Sequence, residues 1–153
     1  MPNWHHLLKD GEYARPEQIL AGLTPEQATS RPSPGAHTIH EELWHAARWQ
    51  SIIVNRDEAL YEQWQAGRVY PEAGPADAAE WEALVAEFHA GLEKALWWAE
   101  SPERLAHKTD RGTTMADVLV SLSVHNAYHL GKIVALRQAL GAWGEGERMK
   151  DEG

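Results

Sequence analysis

Residues 114–141, TMADVLVSLSVHNAYHLGKIVALRQALG, decide the fold. Val118, Leu122, Ile133, Leu136 and Leu140 recur at three- and four-residue intervals, the period of an α-helix with one face turned inward. Thr113-Thr114 supplies a start and Gly141 a stop, since glycine accepts the left-handed backbone that closes a helix. His125 and His129 fall on the same stripe. Four helical residues advance ~400° and ~6 Å, so both imidazoles leave one face a turn apart, a chelating arrangement. An imidazole in an apolar core costs free energy unless its nitrogens find partners. Two of them among Val, Leu and Ile need separate polar partners or a shared metal.

Outward from this segment, three more helices are predicted. Trp81, Leu84, Val85, Phe88, Leu92, Ala95, Leu96 and Ala99 place one over about 77–100, ended by Ser101-Pro102. Thr38-Ile-His-Glu41 has the S/T-x-x-E form of a capped start, and Ile39, Leu43, Ala46, Trp49 and Ile53 carry that helix over about 39–55. The first helix is expected over about 13–23, with Pro16 in its first turn, and residues 2–10 add an earlier turn. Between 56 and 77 the pattern weakens to a long crossover, with Tyr61, Trp64 and Tyr70 spread through polar residues. No alternating strand pattern appears. The expected fold is an all-α four-helix bundle, one domain over 1–153 with a polar tail at 144–153.

Composition narrows the chemistry. The 153 residues suit one core, and the lack of Cys leaves His, Asp and Glu as the strong metal ligands. Fourteen Lys and Arg against 23 Asp and Glu give a formal charge of −9, with the cations scattered singly, so nucleic acid and anionic membrane are not expected partners. Nowhere do 18 apolar residues run together, and the N-terminal residues lack a basic-then-apolar leader; a cytoplasmic location is expected.

His45 lies beside the stripe of the 39–55 helix, where it can reach an inter-helix cavity. With His125 and His129 it could complete a three-His face with an open position, as catalytic rather than structural metal sites have. Glu42-Leu-Trp-His45 is also an E-x-x-H step, and di-iron bundles carry two such steps. The second is missing, because Leu122 and Asn126 stand three residues before His125 and His129. A mononuclear site fits better. Glu42 is placed to orient an imidazole or serve as a base. His89 is the one candidate for a fourth ligand; His5, His6, His37 and His107 read as solvated, and His40 belongs to a first helical turn. Tyr128 is expected to pack, Arg48 to form a surface ion pair or hold a substrate anion, and Arg137 to lie too far away for direct work on a metal.

Two segments carry a resemblance: His125-Asn-Ala-Tyr-His129-Leu-Gly-Lys-Ile-Val-Ala-Leu-Arg137-Gln-Ala-Leu-Gly141-Ala-Trp143, and Arg31-Pro-Ser-Pro-Gly-Ala-His37-Thr-Ile-His40-Glu-Glu-Leu-Trp-His45-Ala-Ala-Arg-Trp49-Gln. They resemble the last helix, and the second helix with its preceding loop, of the DinB/YfiT-like superfamily. The match departs at Lys132, where that family often has Gln, and at His40, where an aromatic is common. The resemblance implies an up-down-down-up bundle, a divalent metal (Zn, Ni, Fe or Mn) on His45, His125 and His129, and a homodimer. It further implies a metal-dependent enzyme, foremost an S-transferase that takes a low-molecular-weight thiol as cosubstrate and a small electrophile as substrate. A hydrolase using metal-bound water and a non-enzymatic, stress-related metal-binding or interaction protein are the alternatives.

Overall fold

The computed structural model describes residues 2–144; the tail expected over 144–153 lies, beyond Gly144, outside the described residues. Three long helices dominate, and each starts where a side chain caps it. Helix α4, Ile39–Asn55, opens on Thr38, whose hydroxyl accepts from Glu41 N while the Glu41 carboxylate accepts from Thr38 N. Helix α6, Ala78–Ala99, opens on Asp77, and α8, Met115–Ala139, on Thr114. These caps satisfy amides that the first turn leaves open, which is why the boundaries expected for the three helices hold.

The N-terminal segment differs from expectation. The helix read over 13–23 is only α2, Pro16–Leu20, flanked by α1, Trp4–Leu8, and α3, Pro25–Thr29. Gly22 takes φ +69°, outside helical geometry, and Thr24 and Pro25 then start α3 afresh. The crossover also contains an unforeseen helix, α5, Glu58–Gln65, capped by the Asp57 carboxylate accepting from Leu60 N at 3.0 Å. A last short helix, α7, Pro102–Leu105, precedes α8. Among the described residues there is no strand, only an isolated bridge between Lys108 and Thr114, and no helix is long and apolar enough to cross a membrane.

Helix α4 packs along both α6 and α8, while α1 and α2 close over α6 and α8 and α3 lies on α4. Ile39, Leu43, Phe88, Leu92, Leu119 and Ile133 are excluded from solvent at the centre. One polar strut crosses this core. The Gln50 amide donates to Phe88 O at 2.8 Å and accepts from Asn126 Nδ2 at 2.9 Å, so a single side chain joins α4 to α6 and α8. Arg137 is likewise buried, donating to the carbonyls of Ile19 at 2.7 Å and Ala142 at 2.8 Å. It ties α8 to the end of α2 and is structural.

The inward face of α8 is centred on Leu119, Asn126 and Ile133 rather than on the stripe expected through Val118, His125 and Leu140. Leu122, His129 and Ile133 belong to both; His125 stands at the flank, half-buried. That rotation brings the histidine site to the edge of the core.

Candidate metal centre

The caps of α4 and α8 set the register of the site. Thr38 starts α4 so that Glu42 occupies its first turn and His45 the next, and α8 presents His125 and His129 a turn apart on the facing side. One nitrogen from each of the three imidazoles lies within 4.8 Å of the others. His45 Nε2 and His125 Nε2 are 3.3 Å apart.

Two of the rings are oriented from behind. His45 Nδ1 donates to Val69 O at 2.8 Å, and His129 Nδ1 donates to Glu42 Oε2 at 2.6 Å. A carbonyl and a carboxylate only accept, so both rings carry a proton on Nδ1 and turn Nε2 toward the cluster. Histidines that ligate metals are held in this way. The His125 ring has no such support: its Nδ1 is buried without a hydrogen-bond partner. Two nitrogens on one tetrahedral ion, each ~2.05 Å from it, stand roughly 3.3 Å apart, which matches the observed pair. The Nε2 atoms of His45 and His129, converging beside the His125 ring, fit a cation, and the donor set is entirely imidazole.

Glu42 is the buried partner behind the site, 2% exposed. Its Oε2 accepts from His129, its Oε1 accepts from His37 Nδ1 at 3.0 Å, and Lys132 Nζ lies 3.7 Å from Oε1. Burial pushes its pKa up, but the bonds from His129 and His37 outweigh that and hold the carboxyl below the usual range. His125 and His45 also lie below their ordinary value. Burial, with the neighbouring His129 and His45, lowers His125 to about 4. Burial also lowers His45, although its bond to Val69 opposes the shift. Both rings are therefore neutral at pH 7, the state that donates a lone pair.

An aromatic wall from the crossover closes one side. The Tyr70 ring stacks on His45 at 4.7 Å between centroids, Trp64 of α5 lies at 4.7 Å from the same ring, and Trp49 reaches Trp64 at 5.2 Å and His125 at 6.1 Å. On the other side Tyr128 meets His129 edge-on at 5.1 Å.

The structure brings His45, His125, His129 and Glu42 together and separates the other residues considered. His89 is not in the group; it lies beside Phe88 on α6 at 6.2 Å. Arg48 is spent on Glu87 at 3.3 Å and on the Trp44 ring at 5.0 Å, the ion pair expected of it. His40 is buried beside Trp81. Two expectations are corrected. Tyr128 is 60% exposed and does not pack into the core, because α8 is rotated as described. His37 is not simply solvated, since it bonds Glu42 and its ring lies 4.1 Å from Tyr70; its place just before the Thr38 cap was the available signal. Val69 was not foreseen, because a main-chain carbonyl leaves no mark in a sequence.

The chain matches the family model of the DinB superfamily over residues 10–133. No curated protein and no solved structure matches the chain significantly. The matched span contains α2 to α6, the crossover, and α8 through Ile133, and thus all three imidazoles and Glu42. On that coverage the chain belongs to the DinB superfamily.

Proposed function

We propose that this protein is a metal-dependent enzyme with one divalent cation held by His45, His125 and His129, and that it transfers a small thiol onto a small electrophilic substrate. The observation that carries the first half is the convergence of three imidazole nitrogens, with Val69 O and Glu42 fixing the proton of two rings on the far nitrogen. A divalent ion there, whether Zn, Ni, Fe or Mn, supplies Lewis acidity that lowers the pKa of a thiol or water brought against it.

The chain's own residues favour thiol over water. Both Glu42 oxygens already accept hydrogen bonds from imidazoles, so Glu42 orients His129 rather than serving as a general base. The three-His group includes no carboxylate. Hydrolysis gains from a base that takes the proton of the attacking water, whereas a thiol starts far more acidic than water and gives its proton to solvent with less help. With no Cys in the chain, the thiol arrives as a cosubstrate. The aromatic wall of Trp64 and Tyr70 shields the His45 side from solvent.

Elemental analysis of protein purified without an affinity column tests the ion. Incubating loaded protein with low-molecular-weight bacterial thiols and a panel of electrophiles tests the reaction. Metal-dependent thiol consumption is expected. Ester or amide turnover without added thiol would favour the hydrolase instead, and protein that takes up no metal would leave a role in binding other macromolecules.

A further inference from the structure

Lys132 follows His129 by three residues on α8, which places it beside Glu42 at the His129 end of the cluster. Its Nζ lies 3.7 Å from Glu42 Oε1 and 4.6 Å over the Tyr128 ring, and the side chain is 40% exposed. A separation of 3.7 Å is beyond hydrogen-bond range, and His37 already bonds that oxygen at 3.0 Å. The ammonium, with three donors to place, lies against Glu42 and interacts with the Tyr128 hydroxyl, which leaves it a donor to spare.

The neighbouring cations are committed elsewhere. Arg48 faces Glu87 and Trp44, Arg31 pairs with Glu41 at 2.8 Å, and Arg137 is buried against the carbonyls at the end of α2. Charge at the site also points one way. Glu42 and Lys132 cancel, and the three-His group contains no carboxylate. A resident divalent cation would therefore leave a local excess of positive charge in a chain whose formal charge is −9. An entering anion neutralises that excess.

We infer that Lys132 reads a carboxylate on the molecule that enters the three-His site, so that the enzyme's partners are short anionic compounds rather than neutral ones. The Tyr128 ring beneath the ammonium and the Tyr70 ring stacked on His45 supply apolar surface for the short chain that carries the carboxylate. The inference rests on the proposed metal site, and Lys132 acts in it as a specificity residue.

The test uses full-length protein loaded with Co(II), whose visible absorption reports ligands entering the site, as wild type, Lys132→Met and Lys132→Arg. The probes are 3-mercaptopropionate, 2-mercaptoethanol and propionate. Lys132→Met should weaken 3-mercaptopropionate about tenfold, the scale of a charge-assisted contact, and leave 2-mercaptoethanol within about twofold. Lys132→Arg should recover most of the loss, since the cation persists. Lys132-dependent binding of propionate as well places the carboxylate on the electrophile, and dependence for the thiol acid alone places it on the cosubstrate; both support the inference. Equal losses for charged and neutral thiols, or none, overturn it and leave Lys132 as a counter-charge to Glu42. Wild type that binds no Co(II) overturns the metal site itself, a separate failure seen before any probe is added.

Discussion

Replacing Glu42 by Gln removes one charge while keeping size and shape, and the structure sets the size of the effect. The carboxylate accepts from His129 at 2.6 Å and from His37 at 3.0 Å in a position 2% exposed. An amide offers one oxygen and one NH2, so only one of the two imidazole N–H groups keeps an acceptor and the other faces a donor. Exchanging a charge-assisted bond of ~1.5–3 kcal/mol for a neutral one of ~1 kcal/mol, and leaving a buried donor unsatisfied, costs about 2 kcal/mol or more. For a chain of this length that lowers the melting temperature of the cation-free protein by about 5 °C. Metal affinity should fall 10- to 100-fold, roughly 1.4–2.7 kcal/mol, the usual loss when the partner behind a ligating histidine is removed. Competition against a chelating indicator measures the affinity, and nitrogen NMR of the imidazoles shows whether the His129 proton still rests on Nδ1. Affinity within twofold of wild type, with that tautomer unchanged, would refute the role assigned to Glu42.

His125→Ala should abolish stoichiometric metal and erase the thermal stabilisation that metal confers on the wild type, since a ligand bound only by the folded state stabilises it; elemental analysis and paired melts check both. Gly91→Ala puts a Cβ 2.1 Å from Gln50 Nε2, and Gln50, bonded at both ends, has nowhere to go. A loss of about 2–3 kcal/mol, or about 5–10 °C in Tm, is expected, with partial recovery on adding Gln50→Ala; an unchanged melt would contradict the strut. Stability of the cation-free protein should decline as pH falls from 6.5 toward 4. In that window the unfolded chain protonates His125, whose folded pKa is about 4, so acid favours the unfolded state. His45 and His40, also lowered by burial, add in the same direction. Urea midpoints at pH 7 and pH 4.5 that coincide would contradict the burial of these rings.

The long helices could be read from the chain because their ends are written in side chains: Thr38 with Glu41, Asp77 ahead of α6, and Thr114 with Asp117. Spacing was enough for His125 and His129 as well, because four residues along a helix is a local relation. His45 was harder to place, since its meeting with the other two depends on how α4 packs on α8. The N-terminal helix misled because Ile19, Leu20 and Leu23 look like one stripe, although Gly22 and Pro25 break it in two. Helix α5 escaped notice because it is short, half of its eight residues are Glu or Gln, and it buries no side chain fully. Val69 and Tyr70 reach the site through a loop, and nothing in a linear pattern ties a loop to a residue dozens of positions away.

The bond from His45 Nδ1 to the Val69 carbonyl makes the crossover a latch on the imidazole cluster. Withdrawing electrons from Nε2 makes the proton on Nδ1 more acidic, so loading the cluster tightens the hold on the loop, and by thermodynamic reciprocity a tighter loop tightens the loading by the same factor. Gly67, exposed and at φ +97°, marks the adjacent hinge. Amide exchange over 66–71 should slow on loading, and a protease nick beside Gly67 should weaken ion binding.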